Sequence, residues 1–372
     1  MTAFALTPAQ QELIVRARAI AERELKAVAG AGEPGRVNRP LVKALAAQGM
    51  LPRLFPRDGS VSATELCLLR EAVAHACPEA ETALALQGLG SYPILQSGSR
   101  ELIDAWIPKV ALGEAVAAFA LTEPGAGSDA AALALKAEPD GHGFRLTGEK
   151  RWISNAPDAD VYVVFARTTE GAGARGVTAF VVEGASEGLS GEPLDLVAPH
   201  PIGSLTFDGV FVGAGAILGE RDAGFRVAMR TLDLFRPSVG AFAVGMAQAA
   251  LDASVAHAAD REAFGKPLRE LQAVSHKLAD MATKLEAARL LVYRAAAAYD
   301  AGEPVTSASA MAKLYATEVA QEIVDAAIQI HGAAGLEKGH LLEHLYREVR
   351  ATRIYEGTSE IQRNIVAREL FD

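Results

Sequence analysis

Apolar and polar positions along the chain repeat with two different periods, and the change from one to the other divides it. Leu13, Ile14, Ala17, Ile20, Ala21 and Leu25 recur on one helical face. Ahead of them Thr7-Pro8-Ala9-Gln10 supplies an N-cap, a proline at the first helical position and a capping-box glutamine. Further helices are expected at roughly 38–49, 62–77 and 98–110, between proline and glycine turns. Near residue 115 the pattern shortens. GFRLTGEKRWI, DVYVVFAR, GVTAFVVE and SLTFDGVFV are β-branched or aromatic runs bounded by Gly, Asp and Pro, which predicts a small antiparallel sandwich or barrel. From Asp222 the helical period returns, with long amphipathic helices at about 222–257, 267–300 and 305–332. A shorter helix is expected from Ser359, opened by the S-x-x-Q pattern Ser359–Gln362. The fold class expected is a multidomain α+β chain: N-terminal helices (1–115), a middle β-domain (116–220) and a C-terminal long-helix bundle (221–372). No internal repeat is present.

Composition narrows this without changing it. Half of the 372 residues are hydrophobic and 22% are charged, which is a globular balance. A formal charge of −10 argues against broad nucleic-acid binding or attraction to an anionic membrane, yet leaves room for a local basic pocket. The two cysteines, Cys67 and Cys77, have no CxxC spacing and are expected to be buried thiols. MTAFALTPAQQELIV lacks a signal-peptide layout, no window is expected to approach the apolar length needed to span a bilayer, and no membrane insertion is expected; a cytoplasmic setting is the default.

Two motifs carry candidate chemistry. Gly125-Ala-Gly127-Ser-Asp-Ala130 matches G-x-G-x-x-A, the form of a dinucleotide-binding turn. Thr122-Glu-Pro124 separates those glycines from the preceding apolar run, and a series of strands comes after them rather than a βαβ unit. A ligand-facing loop, whose glycines let backbone N–H groups approach phosphates, is the better reading. The second motif, RIYEGTSEIQ at 353–362, places Glu356 between Tyr355 and Gly357. Read alone, Glu356 is a solvated acid favoured by a helix N-terminus, or a base held on a rigid turn.

Companion motifs bear on that choice. LTEPGAGSD (121–129), KRWISN (150–155), REAFGKPLRELQ (261–272), QIHGAAG (329–335) and RIYEGTSEIQRNIVAR occur in this order, and with the helix–β–helix layout they resemble the acyl-CoA dehydrogenase family over essentially the whole chain. The resemblance implies FAD, an acyl-CoA substrate and α,β-dehydrogenation, with electrons passing to an electron-transfer flavoprotein. Glu356 is then the base that takes the α-proton, its pKa raised by burial beside Tyr355 and flavin. Phe119, Leu121, Thr122, Gly127 and Ser128 would line one flavin segment, with Trp152 and Ser154 flanking the ring. Arg261, Phe264 and Gln272 would reach the FAD of an adjacent subunit. Gln329 and Gly332 would hold its remaining phosphate and adenosine portion, near Thr358 and Glu360. For the substrate, Ser128, Asp233, Phe235, Arg236, Tyr355 and Gly357 are the implied contacts. Phe235 stands where some relatives keep their base and cannot take a proton. Cofactor contacts across subunits imply a homo-oligomer, a tetramer or a dimer.

Two departures from the family pattern stand out. The double glycine is Gly332-Ala333, and the usual Lys-x-Gly-Ile/Leu-Arg stretch is replaced by VAPHPIGSLTF at 197–207, where His200 is expected to be a loop residue. The same fold also admits an acyl-carrier-protein-linked dehydrogenase, an oxidase or a flavin monooxygenase. A non-enzymatic flavin-binding or nucleic-acid-associated relative is the alternative of a different class.

Overall fold

The computed structural model describes residues 6–56 and 60–371. In chain order the elements are α1 (Pro8–Ile20), α2 (Lys26–Gly30), α3 (Arg39–Ala47), α4 (Ala63–Ala76), α5 (Pro78–Ser97) and α6 (Arg100–Ala111). Eight strands come next: β1 (Ala117–Ala120), β2 (Lys136–Asp140), β3 (Gly143–Ser154), β4 (Val161–Arg167), β5 (Val177–Glu183), β6 (Leu189–Pro193), β7 (Ile202–Gly213) and β8 (Ile217–Leu218). Then come α7 (Gly224–Asp260), the hairpin β9 (Glu262–Ala263) and β10 (Lys266–Pro267), α8 (Gln272–Asp300), α9 (Thr306–His331), α10 (Leu341–Thr352) and α11 (Ser359–Glu369). The chain divides into two compact units, Met1–Arg23 with Ser62–Glu81 and Asp233–Asp372, and Glu24–Val61 with Thr82–Leu232.

The second of these units is built on the sheet, ordered β6-β7-β3-β2-β4-β5-β8 with β1 on β4. It is largely antiparallel, as the alternating runs predict, but β1 and β2 both pair with β4 in parallel. β4 is buried on both faces, so its sequence VYVVFAR is a near-continuous apolar run rather than an alternating one. Its core includes Tyr162, Phe180, Leu205 and Phe207. β1, AAFA, has little strand propensity, and the run pattern does not predict it. It forms because the buried Gln87 side chain on α5 accepts from the Ala117 N–H (2.9 Å) and donates to the Ala115 carbonyl (2.8 Å). Gly90 lets α5 close onto this strand, since a Cβ there would lie 2.6 Å from the Ala117 backbone. α5 itself, with Gly88, Gly90 and an internal Pro93, escapes the helical pattern for the same reason: packing outweighs its poor propensity.

The other unit is the helical bundle. The capping box at Thr7–Gln10 forms as expected, both of its hydrogen bonds being made. Asp300, at the end of α8, accepts from Ser62 Oγ and from the Ala63 and Thr64 N–H groups, an anion on the N-terminus of α4. Glycines set the helix crossings: a Cβ at Gly240 would lie 2.7 Å from Val292, and one at Gly245 would lie 2.4 Å from the Glu71 carbonyl oxygen. One expectation is corrected here. α7 has 37 residues and is long and apolar enough to cross a membrane, a property expected of no stretch of this sequence; 72% of its most apolar window is buried inside the protein, so it is a core helix. α10 is also absent from the expected helices, hidden behind Gly339 and His340.

Candidate active site

Glu356 sits in the turn between α10 and α11 with φ 52, followed by Gly357 at φ 93. A non-glycine residue in the left-handed region stores strain and needs a framework to hold it there. The framework consists of polar side chains clasping its carbonyls. Gln362 Nε2 donates to the carbonyls of Glu356 (3.2 Å) and Gly357 (3.0 Å). Lys313 Nζ donates to the Gly357 carbonyl at 2.7 Å, and Arg236 Nε to that of Glu356 at 3.4 Å. This corrects the reading of Ser359–Gln362 as a capping box. The N-cap is Thr358, whose Oγ1 accepts from the Ile361 N–H, and Gln362 is buried and turned to the Glu356 turn.

The carboxyl of Glu356 is the part left free. Its Oε2 is buried with no hydrogen-bond partner among the described residues. Burial pushes its pKa up, against the charges of Arg70, Lys313 and Arg236, which pull it down. Tyr355 beside it is pushed well above its ordinary value, again by burial. Asp233 and Arg236 form an ion pair at 3.6 Å on α7, and Phe235 between them is buried. A carboxyl whose proton affinity burial raises, with one oxygen unpartnered among the described residues and its backbone fixed on a strained turn, is fitted to take up a proton.

The sheet unit gathers the other predicted contacts. A fully buried ion pair, Lys150 Nζ to Glu123 Oε1 at 2.7 Å, ties the loop after β1 to β3. Lys150 also donates to the Leu121 carbonyl, and Glu123 accepts from the Ala134 and Leu135 N–H groups. Burial lowers the Lys150 pKa to about 8. The Arg151 N–H donates to the Thr122 carbonyl at 3.0 Å. Just beyond, the β3–β7 register slips between Lys150 and Ile153. Trp152 lies in that bulge with φ 57, 46% exposed, and the Arg151 guanidinium is 5.3 Å from its ring centroid. Phe119 packs on Phe165 with ring centroids 4.9 Å apart, Leu121 is buried, and Gly127 and Ser128 are exposed. Ser154 Oγ is 2.9 Å from His200 Nε2, so the divergent VAPHPIG loop does touch a predicted site residue.

A third group lies at one end of the bundle. Phe264 and Gly265 turn the β9–β10 hairpin, both with positive φ, and Phe264 is 92% exposed. Arg261, Gln272, Gln329 and Gly332 are also exposed, as is Glu360 on α11; Thr358 is half-buried. His257 stacks on His331 at 4.1 Å, joining the end of α7, where Arg261 comes next, to the end of α9, where Gln329 and Gly332 lie. Lys313, which holds the Glu356 turn, is about 27 Å from that end along α9. Within the helical unit the predicted residues thus fall into two groups, one around Glu356 and one at the end of α7 and α9.

Three family models match in succession: "Acyl-CoA dehydrogenase, N-terminal domain" over 7–114, "middle domain" over 118–210 and "C-terminal domain" over 222–371. The chain belongs to the acyl-CoA dehydrogenase family. It is 37% identical over 361 residues to cyclohexane-1-carbonyl-CoA dehydrogenase of Geobacter metallireducens, covering 95% of this chain and 94% of that one. It is 40% identical over 371 residues to 3-(aryl)acrylate reductase of Clostridium sporogenes, covering 97% and 98%. Among solved structures, butyryl-CoA dehydrogenase from Megasphaera elsdenii superposes with a TM-score of 0.94 at 33% identity over the full length of both chains. A chain in a structure described as electron transferring flavoprotein of Acidaminococcus fermentans gives 0.94 at 34%, covering 99% of each. The family is FAD-dependent, and structures of this fold with FAD are known. The residues present fit such a cofactor. Trp152 offers an exposed aromatic face, Thr122 and Ser128 offer hydroxyls, and Gly125 and Gly127 leave open backbone where a Cβ would meet nothing within 4 Å.

Sequence reasoning misses the charged side chains behind these groups: Arg70 and Glu81, Lys313, and the Lys150–Glu123 pair. All are buried. Glu123 and Lys150 lie inside quoted motifs, which is a usable signal. Arg70 and Glu81 lie in helices with no motif at all, far along the chain from Glu356.

Proposed function

We propose that this chain dehydrogenates an acyl-CoA thioester between Cα and Cβ to the trans-2-enoyl thioester, with Glu356 as the base. The observation that carries this is the Glu356 carboxyl: an oxygen buried and unpartnered, on a turn whose backbone is clasped by Gln362, Lys313 and Arg236. Bound FAD supplies the acceptor for the hydride that leaves the β-carbon. Glu356 takes the α-proton, and raised proton affinity suits it to that task near neutral pH. The Glu356 N–H is the donor to the thioester carbonyl, a contact worth on the order of 3 kcal/mol as enolate character develops. Gly357 keeps the backbone clear for the thioester. Phe235 limits the acyl tunnel, Asp233 and Arg236 meet the pantetheine or nucleotide part of CoA, and Tyr355 and Ser128 complete the substrate contacts.

In the same reading Phe119, Leu121, Thr122, Gly127, Ser128, Trp152 and Ser154 hold the flavin of their own protomer. Arg261, Phe264, Gln272, Gln329 and Gly332, with Thr358 and Glu360, serve cofactor bound by an adjacent one. The exposure of the first five supports this. The assembly is a homo-oligomer, electrons leave to an electron-transfer flavoprotein, and two buried cysteines that form no disulfide accord with the cytoplasm.

Anaerobic titration with acyl-CoAs of different length and branching tests the reading: a saturated substrate bleaches the oxidised flavin band, and the dissociation constants rank the candidates. Absence of bleaching by every saturated thioester would overturn it. Likeness to a reductase favours one second reading, in which Glu356 delivers a proton to Cα of an enoyl substrate. Oxidation of reduced enzyme by enoyl or arylacrylyl thioesters, without bleaching by their saturated counterparts, would establish that direction.

A further inference from the structure

Three imidazoles meet at the end of the helical unit where the hairpin and the Gly332 turn lie. His257, in the last turn of α7, stacks on His331, the last residue of α9, with ring centroids 4.1 Å apart and planes 26° from parallel. His340, the N-cap of α10, approaches the His331 ring edge-on at 5.5 Å. All three are half-buried. Hydrogen bonds fix two of the tautomers. A carbonyl can only accept, so His331 Nδ1 carries a proton and donates it to the Ala327 carbonyl at 2.8 Å. His340 Nδ1 accepts from the Leu342 N–H at 3.1 Å, so the proton of the neutral ring sits on Nε2.

These rings are attached to the backbone of the exposed group already described. The His257 carbonyl accepts from the Arg261 N–H at 2.8 Å, and the Arg261 carbonyl accepts from the Leu268 N–H at 2.8 Å across the base of the hairpin that carries Phe264. His331 is followed directly by Gly332, whose φ of 65 turns the chain out of α9. The stack therefore bridges the root of the hairpin and the Gly332 turn, and His340 ties the same rings to the start of α10.

Charge makes that bridge conditional. Neutral imidazoles stack as aromatic rings, whereas two imidazolium rings at 4.1 Å repel one another. A second proton on His340 would occupy Nδ1, where the Leu342 N–H now points, and would put a positive charge at the N-terminus of α10. Burial lowers the pKa of His257; Arg261 and His340 lower it further and Asp260 opposes them. Burial lowers that of His331 as well, the Ala327 carbonyl opposing it and His257 and His340 adding to it. On α10 Glu343 is taken up by Arg347 at 2.7 Å and by the Gly339 N–H, and Glu337 and Lys338 ahead of His340 are exposed. The folded-state values of His257 and His331 lie below the ordinary 6.5, so the bridge is complete above that pH and weakens as pH falls below it.

We propose that His257, His331 and His340 are positioning residues that hold the hairpin and the Gly332 turn as one cofactor-binding surface, and that protonation of the stack releases it. The groups that meet the cofactor remain Arg261, Phe264, Gln329 and Gly332, and the imidazoles act through them. The inference rests on the reading that this end of the bundle serves FAD bound by an adjacent copy, and its test keeps the two apart.

FAD-loaded enzyme is compared at about pH 7.5 and about pH 5.5, on either side of the imidazole range. One readout is amide hydrogen exchange of segments 257–272 and 328–342, corrected for the intrinsic effect of pH; the other is the dissociation constant of FAD. In wild type, protection of both segments is expected to fall at the acid pH and the dissociation constant to rise on the order of tenfold. His257→Phe with His331→Phe keeps two stacked rings and removes their proton sites, so both pH effects are expected to disappear. Should that pair of changes prevent folding, His257→Phe alone is expected to move the release to lower pH. His340→Asn keeps an acceptor for the Leu342 N–H without a site to protonate, and is expected to lessen the release. Protection that is equal at the two pH values in wild type, or that falls as far in the double variant, would overturn the positioning role. FAD bound more tightly at the acid pH would overturn it too, by making the imidazolium charges anion ligands. Protection that falls in wild type and not in the double variant, with FAD held equally at both pH values, would uphold the bridge and overturn the cofactor reading of this end.

Discussion

Glu356 and Gly357 show how much chemistry a single dihedral angle can carry. Both residues need positive φ, and only the glycine accepts it without strain. The strain at Glu356 is held by side chains from α7, α9 and α11, so its carboxyl projects from backbone that cannot relax. Glu356→Gln is expected to fold, retain FAD and lose turnover by a factor on the order of 10²–10⁴, the usual worth of a positioned base; stopped-flow flavin reduction measures it. Lys150 illustrates the opposite case, a charge whose work is structural. Lys150→Met leaves Glu123 buried and unpaired, which costs about 3–5 kcal/mol. The urea midpoint is expected to fall, and FAD is expected to dissociate more readily because the 121–128 loop loses its tie to β3. An unaltered midpoint would mean that the Ala134 and Leu135 N–H groups alone satisfy Glu123.

Among the elements, α10 carries a pH-dependent contribution to stability. Glu348, buried on this helix, is raised to about 8, first by burial and then by the charge of Glu79. Its folded-state pKa lies above the unfolded value. The native state thus prefers it protonated; its favourable contribution is complete below about pH 4.5 and is lost as pH rises towards 8. Glu348→Gln is expected to match the wild-type melting temperature at pH 5 and exceed it above pH 8, as read by calorimetry. Equal melting temperatures at both pH values would place the titration elsewhere. α10 also marks where reading by pattern stops. Long amphipathic helices and alternating strands are legible because one face of each is buried, and burial imposes the periods of 3.6 and 2. β1, α5 and α10 are not, because each is stabilised by partners remote in sequence: the Gln87 amide for β1, the close approach at Gly90 for α5, and packing against α9 for α10.

At the scale of the whole molecule, the exposed group at the end of the bundle makes its own prediction. Phe264 is almost fully solvent-exposed in the protomer, so Phe264→Ala should cost the isolated fold little. If the hairpin serves cofactor held by a neighbouring copy, flavin content after gel filtration is expected to fall, with the protomer's far-ultraviolet circular dichroism unchanged. Full retention of FAD and unchanged oligomer mass would remove the cross-subunit role. Family and cofactor were legible in the sequence alone, because five short motifs in order resemble those of one family, and the candidate base is what that resemblance implies; the same motifs carry local backbone demands: a Glu-Gly turn, an open glycine loop, a tight hairpin. What only the tertiary structure decided is which charges surround those motifs. Arg70, Arg236 and Lys313 come from three helices, and their charges act on Glu356 only once the bundle is packed. Electrostatic coupling depends on distance and burial in space, and neither leaves a period or a spacing along the chain.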